Sequence, residues 1–138
     1  MALGANPEQP RWRSLQARIE TARGFTLAAT GKPIEAKAAA DRAVAVAEKL
    51  AREDSSYNYD LACALALQAR LDPAAPGPPA AAVAALRGAV AYGFDNVYKL
   101  NHDEHLAPVR GRQDFQDVIH LVKKSSVTPG DSGGEQQP

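Results

Sequence analysis

The stretch Gly24–Ala43, GFTLAATGKPIEAKAAADRA, decides the fold. It reads as a helix, a tight turn and a second helix. Gly31-Lys32-Pro33 falls at the turn, because glycine takes the left-handed conformation that ends a helix and proline has φ preset for the first turn of the next. Small residues recur on both sides: Gly24, Ala28 and Ala29 before the turn, Ala36, Ala39, Ala40 and Ala43 after it. At helical spacing they let two antiparallel helices approach closely. Such a hairpin cannot bury both of its faces alone, so the chain must supply it with a neighbour.

A second, weaker copy supplies that neighbour. Gly24 is followed by Leu27, Gly31, Ala36 and Ala43; Ala62 is followed by Leu65 and, further on, by Ala82, Leu86 and Ala89. The intervals Ala36–Ala43 and Ala82–Ala89 are both seven residues. This pattern resembles the tetratricopeptide repeat, a helical hairpin with small residues where helices cross and larger apolar ones between them. Glu20 departs from it, standing where a large apolar residue usually begins the first helix, and the second copy carries a longer insertion in place of its turn.

The 138 residues imply one domain with a modest core. Alanine supplies much of the 45% apolar content and aromatic residues only 6%, so helices are expected to pack closely with few bulky anchors. The 16 basic and 16 acidic residues cancel, which argues against a dedicated nucleic-acid binder. Cys63 is the single cysteine, so an internal disulfide and a cysteine-pair zinc site are excluded; a reducing, cytoplasmic setting suits it. No apolar run approaches the ~18 residues of a membrane span, and no secretory signal is visible in MALGANPEQPRWR.

Residues 1–9 are expected to be flexible, and a helical domain to span 10–124. Trp12, Leu15, Ile19 and Ala22 fall at steps of three or four, the mark of an amphipathic helix from about 10 to Thr30. Trp12 is read as a packing residue at an exposed end; the other reading makes it a partner anchor. The second helix spans about 33–53, with Ala36, Ala40, Ala43, Val44, Ala47 and Leu50 as its buried stripe and mixed charges elsewhere. Asp54-Ser55-Ser56 stops it and offers N-caps to a third helix, about Tyr57–Arg70. That helix is apolar on most sides and is expected to be central. The proline-bearing run 71–79 is read as an extended surface loop within a second hairpin, 57–92, and the fourth helix as about 80–92, with Val83, Leu86 and Val90 on one side and Gly93 as its C-cap.

The remaining segment, 95–124, is expected to form capping helices. Asp95 and Asp103 are candidate N-caps. Leu100, Leu106 and Val109 form a small cluster, and Phe115, Val118, Ile119 and Val122 mark a last amphipathic helix, 113–124. Arg110 is suited to helix-end carbonyls or a nearby carboxylate. Residues 125–138, SSVTPGDSGGEQQP, are expected to be disordered.

YDLACALALQARLD, the insertion, AAVAALRGAVAYGF and LNHDEHLAPVRGRQDFQDVI together resemble the tetratricopeptide-rich C-terminal regions of planctomycete-type bacterial serine/threonine protein kinases, over about 20–124. Leu100, Asp103, Leu106, Val109, Arg110 and Phe115 carry the closing signature; Glu104 and Gln113 stand where proline is common. The resemblance implies an all-α fold: antiparallel hairpins stacked as a short right-handed solenoid with C-terminal capping helices. It implies a protein–protein interaction module, the non-catalytic part of a larger bacterial signalling protein. The alternative is a structural spacer or homo-oligomerisation domain, with a homodimer as its product.

No catalytic motif occurs: the chain lacks GxxxxGK[ST], GxGxxG, GxSxG, HRD and DFG. The expectation is therefore a non-enzyme with no cofactor and no metal. His102, His105 and His120 are read as capping and surface residues rather than zinc ligands, and Cys63, among alanines and leucines, as an inert thiol. The expected partner is a protein or peptide, with no nucleic acid and no membrane. In tetratricopeptide proteins the first helix of each hairpin lines the binding face. Setting Gly24 and Ala62 in one register puts Arg18, Thr21, Phe25, Ala28 and Ala29 on that face in the first copy, and Tyr59, Cys63, Ala66 and Leu67 in the second. Whether that groove is open, or covered by the capping segment or a second copy, is left open by the sequence.

Overall fold

The computed structural model describes residues 9–126. Its elements are helices α1 (Pro10–Ala29), α2 (Pro33–Glu53), α3 (Asn58–Leu71), α4 (Gly77–Tyr92), α5 (Val97–His102), α6 (Ala107–Arg110) and α7 (Gln113–Ser126). Short 3-10 turns at Ser55–Tyr57 and Glu104–Leu106 precede α3 and α6. The fold is all-α, with no strand among the described residues.

The turn at Gly31 is closed as its sequence predicts. Gly31 has φ +79°, its N–H donates to the Ala28 carbonyl, and the Lys32 N–H reaches back to the Leu27 carbonyl. Those two bonds satisfy carbonyls that the helix end leaves without partners. Gly93 ends α4 in the same way, with φ +127° and the Phe94 N–H donating to the Ala89 carbonyl. Pro33 then opens α2 at a position where a missing N–H costs nothing.

Helices α1 and α2 run antiparallel. Gly24 lies against Ala36 and Ala39, while Glu20, one turn earlier, chelates Arg42, one turn later, through bonds of 3.2 and 3.1 Å. Gly24 permits the crossing: a Cβ there would run into the Leu67 side chain and meet the Ala36 carbonyl oxygen and Ala39 Cβ, both at 3.5 Å. The α2 stripe is buried as expected, with Ala39 added to it. Helix α3 is parallel to α1, since Ser14 bonds Asp60 near their starts and Gly24 meets Leu67 near their ends. It packs on α1, α2, α4 and α6 and buries every residue from Ala62 to Leu67, which makes it the central helix. Helix α4 returns antiparallel along α3, with Gly88 against Asn58.

The main core lies between α3, α4 and the C-terminal helices. Leu86, Leu100, Leu106, Val109, Phe115, Val118 and Val122 are all buried there. Large buried side chains each contribute roughly 1.5–3 kcal/mol relative to exposure, and apart from Leu50 and Leu67 the largest of them lie in the second half of the chain.

Some expectations are corrected. Helix α4 begins at Gly77, not near 80, and Pro78 and Pro79 lie in its first turn, so the loop shrinks from 71–79 to 72–76. The first N–H groups of a helix have no partner within it, so prolines fit there. Asn96, not Asp95, caps α5, because its side chain stands three residues before the Lys99 N–H that it accepts at 2.9 Å. Helix α7 continues through Ser126, past the expected end at 124. The expectations for 1–8 and 127–138 lie outside the described residues. Trp12, Leu15 and Ile19 do mark a helical face, but it points outward, at 40%, 39% and 56% exposure. The face of α1 that packs inward is Ser14, Ala17, Thr21 and Gly24.

Candidate functional site: a furrow beneath the returning C-terminal segment

Residues 97–110 fold back over the side of α1 and α3 where the sequence places a groove. Three contacts fasten them. The Tyr59 hydroxyl donates to Asp103 Oδ2 at 2.7 Å. Tyr59 also packs on Phe94, with ring centroids 4.9 Å apart, and the Lys99 ammonium lies 4.6 Å from its ring centroid. Phe25 stacks on His105, with centroids 4.7 Å apart and planes within 2°. The Arg110 guanidinium donates to the backbone carbonyls of Leu100 and Asp103, the first of the two roles expected for it. Within the segment, Asp103 also accepts the His105 N–H at 2.9 Å, which makes it the cap the sequence predicts.

What remains between this segment and the two helices is a furrow of three adjoining hollows. The first is lined by Arg18, Thr21, Tyr59, Asp60, Cys63, Lys99, Asp103 and His105. The second, which shares His105, is lined by Ala22, Phe25, Thr26, Ala29, Arg70 and Glu104. The third shares Phe25, Arg70 and Glu104 and ends at Pro73, Ala107 and Pro108. The Arg70 guanidinium sits 5.9 Å from the Phe25 ring centroid. The furrow is therefore aromatic at its middle and carries both charge signs along its length.

The first hollow has the most charged side chains in its lining, Arg18, Asp60, Lys99 and Asp103, and a volume of 230 Å³. That is below the ~300 Å³ at which cofactor-sized pockets begin and is about right for one side chain. Asp60 accepts a hydrogen bond from the Ser14 hydroxyl at 2.8 Å. Burial raises its pKa, and Ser14, Arg18 and Lys99 only partly offset that. Burial also pushes the Cys63 thiol up, helped by the charges of Asp103 and Asp60. Cys63 is thus held as a neutral thiol, whereas nucleophilic cysteines depend on the thiolate. Burial likewise raises the Tyr59 phenol, which keeps its proton for Asp103.

The predicted groove residues separate into two groups. Arg18, Thr21, Phe25, Ala29, Tyr59 and Cys63 line the furrow. Ala66 and Leu67 are wholly buried and present no surface there, and Ala28 is half-buried outside the three linings. The Thr21 hydroxyl is engaged within its own helix, donating to the Ala17 carbonyl at 2.8 Å. Sequence reasoning missed the opposite wall, Lys99, Glu104, Ala107 and Pro108, and with them Asp60 and Arg70. The closing signature was the signal, but nothing in it says which helices the segment covers.

The three histidines are dispersed. His105 stacks on Phe25, His102 stacks on Tyr98, and His120 Nδ1 faces the Gln116 carbonyl. No group of three or more His, Cys, Asp or Glu side chains is placed to hold a metal ion among the described residues. None of the described helices is long and apolar enough to cross a membrane. Comparison with family models, characterised proteins and solved structures finds no match to the chain.

Proposed function

We propose that the chain is a non-enzymatic protein-interaction module of tetratricopeptide-like hairpins, arranged as a short right-handed solenoid, which holds a short extended peptide in this furrow. The furrow itself carries the reading: three adjoining hollows bounded by α1, α3 and residues 97–110, with Phe25 at the centre and charged groups on both sides. The parallel course of α1 and α3 and the close crossing at Gly24 support the hairpin arrangement. An elongated channel suits a chain in extended conformation, while the small polar hollow suits one anchoring side chain. The setting within a larger bacterial signalling protein rests on the resemblance over 20–124 alone.

Selection of peptides from a displayed random library against the full chain tests the proposal. Selected peptides are expected to perturb the amide resonances of Phe25, Arg70 and His105. Phe25→Ala and Arg70→Glu, at a half-buried and an exposed position, are expected to lose binding with an unchanged helical spectrum. Peptides that map to another face, or bind both variants unchanged, overturn it.

A further inference from the structure

Helix α1 is built inside out. At 100° per residue, Ser14, Ala17, Thr21 and Gly24 share the side packed on α2 and α3, and Trp12, Leu15 and Ile19 share the opposite side. The three large side chains are 40%, 39% and 56% exposed. From Trp12 to Ile19 they cover about 10 Å of helix, two turns, at ~1.5 Å per residue. Solvent-facing bulk of this kind, carried on a helix whose other side is fully engaged, marks a contact surface.

The charges beside the stripe are of one sign. Arg11 and Arg18 lie along one edge and Arg23 along the other, all exposed. The single carboxylate of α1, Glu20, points toward α2, where Arg42 chelates it; Arg23 stands 3.7 Å from the same carboxylate with its side chain 58% exposed.

We propose that this outer face of α1 docks an amphipathic helix of another protein, one whose apolar stripe is flanked by aspartate or glutamate. Charge complementarity selects that occupant. Two copies of this chain meeting through α1 would set arginine against arginine, and the one carboxylate of that helix, Glu20, is already engaged by Arg42 and Arg23. A broad anionic lipid surface would reach past the stripe to α2, where Glu35, Asp41, Glu48 and Glu53 offset Lys37, Arg42, Lys49 and Arg52 and leave no net attraction. A partner helix is narrow enough to meet only the stripe and its arginines. Ridge-into-groove packing at two turns of contact also fits one helix on another. Arg18 also lines the first hollow of the furrow, but Trp12, Leu15, Ile19, Arg11 and Arg23 lie outside all three linings, so substitutions at those positions test this face separately.

Trp12 is the only tryptophan of the chain and stands in the stripe, so its emission reports docking directly. The probes are two designed helical peptides with the same leucine stripe, one flanked by glutamate and one by lysine, and vesicles of phosphatidylserine and phosphatidylcholine. With the full chain, the glutamate peptide is expected to blue-shift Trp12 emission saturably and less so as salt rises. The lysine peptide and the vesicles are expected to leave it unmoved, and light scattering to report a monomer. Ile19→Glu is expected to weaken the glutamate peptide about tenfold or more, as loss of an apolar interface anchor does. Arg11→Glu with Arg23→Glu is expected to reverse the preference between the peptides. Both variants alter exposed positions and are checked for an unchanged melting temperature. A shift with vesicles, concentration-dependent self-association through Ile19, an equal response to both peptides, or no response to the glutamate peptide each overturns the proposal.

Discussion

Helices α1 and α7 both carry large apolar side chains along one face, yet they use them in opposite ways. Helix α7 turns Phe115, Val118, Ile119 and Val122 into the core. Helix α1 turns Trp12, Leu15 and Ile19 out and packs through alanine, glycine, serine and threonine. Stability at α7 comes from filling volume, where dispersion and burial scale with the side chain. At α1 it comes from closeness, since backbones separated only by small residues gain contacts from the main chain itself. Periodicity shows which residues share a face. It does not show which face is inside.

The contrast can be broken by substitutions of graded severity. Phe115→Ala, at a wholly buried position, empties the core at α7 and is expected to cost about 3–5 kcal/mol in urea denaturation. Gly24→Leu forces bulk into the crossing of α1 with α2 and α3, where a Cβ already collides with Leu67. It is expected to cost about 1–3 kcal/mol, and an unchanged melting temperature would show that α1 does not depend on closeness. Tyr59→Phe removes the 2.7 Å bond to Asp103 while keeping the ring on Phe94. The expected loss is about 0.5–1.5 kcal/mol, together with faster amide exchange across 97–106.

The smallest effect concerns pH. Burial raises the Asp60 pKa above its ordinary 3.8, so the folded chain holds this proton more tightly than the unfolded one. Its contribution to stability is full below pH 3.8 and is lost as pH rises through the raised folded value. Asp60→Asn still offers Ser14 an acceptor without that charge. The variant is expected to lose stability less steeply than the parent as pH rises from 4 toward neutrality. Parallel curves for the two would place the Asp60 carboxylate in an environment no drier than water. Asp114, lowered by its bonds from Arg112, acts in the opposite direction, which is why the difference between parent and variant is the quantity to measure.

Local chemistry was legible wherever a few neighbouring residues decide the outcome. The Gly31 turn, the α2 alanine stripe, the central position of α3 and the inward face of α7 all followed from spacing and capping. Failures arose where the answer lies far along the chain. Tyr59 and Asp103 are 44 residues apart, and Ser14 and Asp60 are 46 apart. No local pattern tells residues 97–110 to lie over α1 and α3, so half of the furrow stayed hidden. Leu67 was placed on the binding face by a register that ignored its role as the side chain filling the space beneath Gly24. The spacing of Trp12, Leu15 and Ile19 marked a shared face of α1 without saying which way it turns; small size, not hydrophobicity, marks the inner side of that helix.

Arg110 holds the wall of the furrow by main-chain oxygens, those of Leu100 and Asp103. Its grip therefore does not depend on which side chains the wall displays. Glu104 and Ala107 of the wall are exposed and take no part in that grip, so they are open to change without loosening it, whereas His105 is held by its stack on Phe25. The fastening and the lettering of the wall are separable, so the side chains facing the furrow can change by a few substitutions while the frame that supports them stays fixed.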